Sequence, residues 1–550
     1  MKKLNLSILI LAANMLLTCC NKLDLKPESD LNDADFWNTE TDLTNACNRL
    51  YETLQGNWLD NRGDDNLGTA ANSTSNGTWV IPNTSDDWTV RYKDIRTANN
   101  ILEKGVKAKV TDAVRNRYFA EARFFRAYSY FLLVQKYGDV PLVLRTLDYN
   151  SPELTSSRAP RADVMKAIYD DLDFAAAWLP ARASLAAAQW GRVMKSTALG
   201  MKARVALYEG TREKFRSEAG WQAHLQIAVD AATQVMGQGH TLFIKYDSLF
   251  GHGGEGAANK ENIFVKIYGV SNTNVILGHN YSRDLENGRL AVTRNLIRQY
   301  LYTDGLPAFN TDNSPVATPS PLFVPEGSET SYNNIFDNRD PRLATIAFKN
   351  GDSAYKGPWV PTLTTGSRTG FASKKGFNNA DWIINNGGTN DRILMRYAEI
   401  LLIYAEAKFE LTESISDADL NLTINALRTR AGMAVKLTNA FVTANGLSMR
   451  EEIRRERTVE LALEGFRYDD LIRWKTAETV LPKEILGAKF ILADWPGTTA
   501  AQVKVNSDNV IISEAASTRR FQANRDYLYP VPLNEITTSG DNVSQNPNWQ

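Results

Sequence analysis

Five aromatic side chains lie in stretches of the sequence that are otherwise polar and rich in Gly, Asn, Ser and Thr. An aromatic ring can stack on the C–H face of a sugar, while neighbouring amide, carboxylate and guanidinium groups hydrogen-bond its hydroxyls. Long polar loops on a rigid frame are also where ligands usually bind. We therefore predict a ligand surface drawn from five aromatic and three polar residues: Trp58, Trp79, Tyr281, Trp359 and Trp382, with Asp65, Asn66 and Arg283.

Adjacent carboxylates are frequent in the sequence, as at Asp64-Asp65 and Asp469-Asp470. Glycoside hydrolysis needs two carboxyls about 5–10 Å apart across a sugar ring. Neighbouring residues of a helix or strand point in different directions, so these pairs do not form the two-carboxylate arrangement of a glycoside hydrolase. Asp64 and Asp65, in a predicted loop, could bind sugar hydroxyls or a structural calcium ion, or could simply serve a turn.

The sequence offers little material for cofactor chemistry. Gly251, Gly253 and Gly256 match a dinucleotide-binding spacing, but a strand-like segment follows them instead of the required helix. The four His residues lack the spacing of a zinc site. With 62 Lys+Arg against 63 Asp+Glu, the chain also lacks the positive charge that non-specific nucleic-acid binding needs. We predict no cofactor and no nucleic-acid partner.

The N-terminus is typical of an exported lipoprotein. Lys2 and Lys3 precede an apolar run that is too short to span a bilayer. The run ends in Leu-Thr-Cys-Cys, which predicts a signal peptide at residues 1–19 and acylation of Cys20, with Cys19 as the alternative anchor. An ordinary secretory signal with two incidental cysteines is the competing interpretation. Removing residues 1–19 changes the net charge from −1 to −1 − 2 = −3.

Residues 20–35 are predicted to be a polar tether and residues 36–550 a single body. Its two parts, 36–250 and 251–550, are predicted to be mainly α-helical, with paired helices of the tetratricopeptide type. Pro, Gly, Asn and Thr make residues 304–390 an irregular insertion with short strands. The spacing of apolar residues predicts these helices: 42–54, 112–137, 165–179 with Asp163 as N-cap, 196–208, 221–236, 393–411, 419–431 and 449–475.

The predicted helix 449–475 alternates acidic, basic and apolar residues. Glu464 and Arg467 are three positions apart, as are Asp470 and Arg473, so each pair can meet on one helix. Matched opposite charges between apolar residues are typical of a partly buried helix, because a buried charge needs a partner. We interpret this segment as architectural.

Ordered blocks of residues resemble the SusD/RagB family of Bacteroidetes surface lipoproteins. They run in one order from the lipoprotein signal to the C-terminus, and the ordered set is more specific than any one block. The blocks are Trp88-x-x-x-Tyr92-x-x-Ile95, the segment 120–127 continuing to Gly138-Asp139-Val140-Pro141, Asp304-Gly305, Arg339-Asp340-Pro341-Arg342-Leu343, Arg396-Tyr397-Ala398-Glu399, Glu464-Gly465-x-Arg467, Asp470-Leu471-x-Arg473-Trp474, Tyr529-Pro530-Val531-Pro532 and Gln545-Asn546-Pro547-x-Trp549.

The resemblance implies a binding protein without catalytic activity, anchored by lipid alone to the outer membrane and facing the extracellular side. Such a protein would capture oligosaccharides and deliver them to a TonB-dependent transporter of the SusC type. A peptide-uptake protein of the same architecture is the main alternative, and a surface glycanase is a third. The blocks are mostly scaffold residues, so the resemblance indicates the fold more directly than the ligand.

Overall fold

The computed structural model describes residues 36–54, 59–271, 274–275, 277–363 and 367–549. Within these residues the protein is mainly α-helical, as the sequence predicts. The helices are α1 Glu40–Glu52, α2 Ser73–Asn76, α3 Asp86–Lys104, α4 Asp112–Tyr137, α5 Arg161–Trp178, α6 Lys195–Phe215, α7 Trp221–Met236, α8 Tyr281–Glu286, α9 Arg294–Ile297, α10 Leu343–Ile346, α11 Asn379–Ile383, α12 Tyr397–Thr412, α13 Asp417–Leu422, α14 Ile424–Ala431, α15 Asn439–Ala444, α16 Met449–Glu460, α17 Arg467–Arg473, α18 Ala477–Val480 and α19 Leu533–Thr538.

The strands of the described residues form antiparallel pairs and no larger sheet. Two of these pairs, β1 with β5 and β2 with β8, join segments that are far apart in the chain. The strands are β1 Asn66–Leu67, β2 Asn262–Lys266, β3 Gly269–Ser271, β4 Asn274–Val275, β5 Ala291–Val292, β6 Ser353–Ala354, β7 Gly357–Pro358, β8 Arg392–Arg396, β9 Ile485–Lys489 and β10 Val510–Glu514.

The helices of the first half pack against their neighbours in sequence. α3 packs on α4, α4 on α5 and α6 on α7, while α12 from the second half packs on α7. Local signals set the ends of α4: the Thr111 side chain accepts a hydrogen bond from the Val114 N–H, and Gly138 takes a positive φ of 73° after the last turn. Helix α4 therefore spans the residues that the sequence predicts.

In the part of the chain that the structure describes, three clusters of buried apolar side chains form the core. The first includes residues from both parts of the chain, such as Leu43 of α1 and Tyr529 near the C-terminus. The second collects apolar residues of the irregular segments, and the third lies around α12 and α14. The first cluster ties the two parts of the chain together through buried apolar surface.

Several predicted helices differ from the structure. The segment 419–431 is two helices, because Thr423 leaves helical geometry at ψ −91°. The segment 449–475 is also two helices, since Leu463 and Gly465 take positive φ values of 61° and 83° between them. Helix α5 begins at Arg161, so Asp163 lies in its first turn and is not the N-cap. The segment predicted as helix 393–411 begins in strand β8, which pairs with β2 from more than a hundred residues earlier.

The ion pairs of α16 and α17 are buried but only partly as predicted. Asp470 and Arg473 pair at 2.8 Å. The predicted pair of Glu464 with Arg467 is wrong: Glu464 accepts from Lys375 and Arg396, and Arg467 reaches a distant carboxylate. The break after α16 turns these two side chains toward different neighbours. In the described part of the chain, no helix has the length and apolar character needed to cross a membrane.

Candidate binding site

An open pocket of about 590 Å³ lies between α1, the start of α4, the segment before α6 and strand β2. Its wall combines aromatic rings, amides, a hydroxyl and two cations. The residues that contribute these groups are Tyr51, Tyr118 and Trp190, with Asn48, Gln189, Thr44, Arg192 and Lys266. Such a mixture can stack on an apolar ligand face and hydrogen-bond a polar rim.

The Tyr51 ring is held in place by three contacts. It meets the Phe125 ring edge to face, with 4.7 Å between centroids. The Tyr51 hydroxyl donates to Glu121 at 2.9 Å and accepts from the Val193 N–H at 3.0 Å. Burial beside the Glu121 carboxylate raises the pKa of Tyr51, so its hydroxyl is neutral at physiological pH. The ring therefore forms a fixed, uncharged wall of the pocket.

Arg192 connects this wall to the polar side of the pocket. Its guanidinium donates to Glu121 at 3.1 Å and to the Asn48 amide oxygen at 2.7 Å, and it lies 5.4 Å from the Tyr51 ring centre. The preceding Gly191 has a φ of +95°, and a Cβ there would come within 2.5 Å of Ile267. Glycine at this turn lets Trp190 and Arg192 both line the pocket.

Lys266 supplies the second cation. Its ammonium donates to the Leu54 backbone oxygen and lies 5.4 Å from the Tyr268 ring centre. Burial lowers the pKa of Lys266. Among the described residues, Lys266 has no carboxylate partner within ion-pair distance. Lys266 is therefore a cation on the pocket wall that no described carboxylate pairs with, and it suits a ligand group of negative or strongly polar character.

The rim of the pocket continues to a second aromatic cluster. The Leu277 N–H donates to the Tyr268 backbone oxygen at 2.8 Å, and the Tyr268 ring meets His279 at 4.8 Å. His279 then exchanges two backbone hydrogen bonds with Gly388. This chain of contacts links the pocket to the segment that carries α11.

Two residues predicted from the sequence meet in this second cluster. The Trp382 indole N–H donates to Glu286 at 2.7 Å, and the Arg283 guanidinium lies 5.7 Å from the Trp382 ring centre. Arg283 also donates to the Ile383 backbone oxygen at 3.2 Å. Trp382 and Arg283 are half-buried, and the neighbouring Ile383 is 61% exposed. The cluster therefore presents an aromatic ring, a cation and an apolar side chain near solvent.

Tyr281 and Trp359 lie near this cluster but are buried. The Tyr281 hydroxyl donates to the Lys375 backbone oxygen at 3.2 Å, and Arg392 covers its ring at 3.8 Å. Trp359 packs 5.2 Å from the Tyr332 ring inside the second core cluster. Neither ring offers an open face to solvent in this structure.

The remaining predicted residues lie in two other places. Trp79 is half-buried against Tyr529, with 4.3 Å between ring centroids. Asp65 directly precedes strand β1 and Asn66 begins it; both are buried, and the Asn66 amide donates to the Asp60 backbone oxygen at 2.8 Å. Trp58, Cys19 and Cys20 lie outside the described residues.

Asp64 and Asp65 are both buried, and burial changes the pKa of Asp65. Burial, followed by the nearby Asp64 charge, raises the pKa of Asp65 to about 7. The Asp64 carboxylate accepts from the Arg467 guanidinium at 2.6 Å. In the described ranges, no group of three or more His, Cys, Asp or Glu residues is placed to hold a metal ion.

Tyr51, Trp190, Arg192 and Lys266 are not among the site residues predicted from the sequence. Tyr51 lies on the apolar pattern of α1, which indicates core packing, and Lys266 ends a buried strand. The one usable signal is Trp190-Gly191-Arg192, an aromatic residue and a cation on either side of a glycine in a loop. These four residues lie together because segments that are distant in the chain pack against each other.

The architecture of helix pairs carrying long irregular segments matches that of known SusD-like structures. A SusD-like carbohydrate-binding protein from Bacteroides fragilis is similar in structure at a TM-score of 0.74 and 25% identity, covering 92% of this chain and 99% of that one. A second SusD-like protein from that species matches at a TM-score of 0.74 and 24% identity, covering 94% and 99%.

Family models match both parts of the chain. Residues 260–549 match the SusD family, and residues 22–207 match the family described as starch-binding associating with outer membrane. The chain belongs to the SusD family. A SusD-like protein of Formosa agariphila is 25% identical over the full length of both chains, and one of Bacteroides ovatus is 23% identical, covering 85% of this chain and 82% of that one.

Proposed function

We propose that this protein is a cell-surface lipoprotein that captures oligosaccharides and delivers them to a TonB-dependent transporter of the SusC type. Acylation of Cys20, or of Cys19, after removal of residues 1–19 would anchor it to the outer membrane. Residues 20–35 would act as the tether, and residues 36–550 would face the extracellular side as one body. Family membership and the outer-membrane description of the N-terminal match support this location.

The observation that carries the proposal is the pocket bounded by Tyr51, Trp190, Arg192 and Lys266. Fixed aromatic rings beside amides and cations suit a ring that is apolar on its faces and polar at its edge. Contacts through Tyr268 and His279 join the pocket wall to the segment that carries Trp382. We propose that a longer oligosaccharide contacts both places. The similar Bacteroides fragilis protein is described as carbohydrate binding, which supports the same class of ligand.

The pocket is built for binding more than for hydrolysis. Among its described lining residues, Glu52 is the one carboxylate, whereas glycoside hydrolysis uses two. Glu121, just behind the wall, is already bonded to Tyr51 and Arg192. We propose that the protein releases its ligand unchanged. Product release from a bound oligosaccharide during overnight incubation would contradict this.

Isothermal titration against plant, host and microbial oligosaccharides tests the proposal. We expect saturable binding of at least one glycan class by the mature chain and weaker binding by the Trp190→Ala variant. Trp178→Ala is the matched control, because Trp178 is 40% exposed on α5 and does not line the pocket. Equal loss in both variants would indicate a general effect of removing tryptophan and would contradict the assignment of the pocket.

Peptide uptake is the second candidate. The observation that favours it is the Lys266 ammonium, which no carboxylate neutralises among the described residues and which could hold a peptide carboxylate. A peptide panel in the same titration separates the two, since binding of peptides without any glycan would favour this candidate. Neighbouring genes for glycoside hydrolases or for peptidases would point to the same choice independently.

A further inference from the structure

A second pocket, of about 330 Å³, shares none of its lining residues with the candidate binding site. Helix α16 forms one wall, α17 and the following turn another, and the irregular segment 310–314 a third. Arg454 of α16 lines this pocket and is 6% exposed.

The Arg454 guanidinium lies close to two aromatic rings. Its guanidinium carbon lies 4.7 Å from the Phe215 ring centre and 4.7 Å from the Trp474 ring centre. Cation–π contact with both rings favours the guanidinium at this position on the pocket wall.

Among the described residues, no hydrogen-bond partner is found for the donors of Arg454. Nε and Nη2 are enclosed, and no hydrogen-bond acceptor reaches them. Nη1 is not enclosed in this way, so it is the nitrogen that a molecule in the pocket would meet first. Leaving a buried guanidinium unpaired is costly, and the cost is recovered when an anion binds it.

The carboxylates near Arg454 are engaged elsewhere. Glu406 pairs with Arg473 at 2.5 Å, and Glu410 pairs with Arg450 at 2.7 Å. Glu451, which lines the same pocket, accepts from the Thr311 hydroxyl and backbone N–H. Other buried arginines of α16 and α17, such as Arg457 and Arg467, pair with a carboxylate. Arg454 is different in having no such pair among the described residues.

We propose that this pocket is an oxyanion site in which Arg454 binds a carboxylate or sulfate group. Nη1 would donate to one oxygen of such a group, and the neighbouring Nη2 would supply the second, parallel N–H donor once the side chain shifts toward the pocket. The pocket is larger than a single ion, so the group can be carried by a small molecule such as an acidic sugar. The Glu451 carboxylate on the same wall limits the site to a ligand with little charge beyond that one group.

Thermal unfolding of the mature chain tests the site with sodium sulfate, sodium acetate, glucuronate, glucose 6-sulfate and glucose. Each is titrated to about 10 mM against sodium chloride of equal ionic strength. We expect the charged probes to raise the unfolding midpoint by about 2 °C in a saturable way, and glucose to have no effect. A larger response to the two charged sugars than to the free ions would identify the oxyanion as one carried by a sugar.

Arg454→Met supplies the decisive comparison, with Arg96→Met as control because Arg96 is exposed on α3. The Met variant should lose the response to every charged probe, and the control should keep it. Arg454→Lys keeps the positive charge but replaces the planar guanidinium by an ammonium group, so this variant should respond more weakly than wild type. The proposal is overturned if no charged probe acts on wild type, or if Arg454→Met and Arg454→Lys respond as wild type does. Binding of neutral oligosaccharides at the first pocket should be unchanged in all three variants.

Discussion

The Arg467 guanidinium makes a bidentate contact with the Asp64 carboxylate, although the two residues are 403 positions apart in the chain. Its Nε donates to Oδ1 at 2.6 Å and its Nη2 to Oδ2 at 3.2 Å. The Asn313 amide adds a third donor to the same carboxylate at 3.3 Å. The pair therefore joins the loop that contains Asp64, helix α17 and the irregular insertion 304–390 at one buried point.

Breaking this pair should destabilise the fold. Arg467→Met leaves the Asp64 carboxyl, which is only 1% exposed, without its guanidinium partner, so we expect a loss of about 3–5 kcal/mol in the free energy of unfolding. Urea denaturation followed by circular dichroism measures it. Lys166→Met is the matched control, because its pair with Asp170 is exposed and should contribute under about 1 kcal/mol. Similar losses in both variants would contradict the special role of the buried pair.

Truncation of Trp190 should weaken ligand binding without unfolding the protein. The ring lines the open pocket and is half-buried, so Trp190→Ala should cost about 1–3 kcal/mol of binding free energy. Isothermal titration with the best ligand of the panel measures the loss. An unchanged dissociation constant would remove Trp190 from the site.

Local signals made part of the fold predictable. The helices 112–137 and 221–236 match α4 and α7 in full, because their apolar spacing and flanking Thr, Gly and Pro act within a few residues. The breaks inside 419–431 and 449–475 were not predicted. They depend on single residues such as Leu463, whose left-handed backbone at φ 61° no local preference of leucine predicts.

The candidate site was predictable only in part. Trp382 and Arg283 were named from composition and do lie together near solvent. Trp359 has the same kind of sequence surroundings but fills a core with Tyr332, because its segment folds back on residues about 27 positions away. Composition cannot distinguish these two outcomes. Tyr51 and Lys266 were missed because each lies on a pattern that also describes an ordinary buried helix or strand.

Trp382 and Trp359 should therefore respond differently to the same substitution. Trp359→Ala should lower the free energy of unfolding by about 3–5 kcal/mol, since it empties a buried ring site. Trp382→Ala should change stability less and should weaken binding of oligosaccharides long enough to reach both aromatic clusters. Denaturation and titration of both variants measure the contrast. A large loss of stability in Trp382→Ala, with a loss of binding in Trp359→Ala, would contradict the roles assigned to the two rings.

The pKa of Asp65 predicts a pH-dependent contribution to stability. An ordinary Asp ionises near 3.8, whereas burial and the Asp64 charge raise the folded-state value to about 7. Between these pH values the folded chain keeps a proton that the unfolded chain has lost, so the contribution of Asp65 to stability falls as pH rises. The slope is at most about 1.4 kcal/mol per pH unit.

Asp65→Asn isolates this contribution, because Asn keeps the shape of the protonated side chain and does not titrate. We expect the variant to gain stability relative to wild type as pH rises from 4 to 7, and the difference to stay constant above about pH 8. Urea denaturation at each pH gives the difference, in which the shared titration of other groups, such as Asp391, cancels. A difference that is flat between pH 4 and 7 would show that Asp65 ionises normally in the folded protein. It would then follow that the loop around Asp64 opens to water far more than the structure shows.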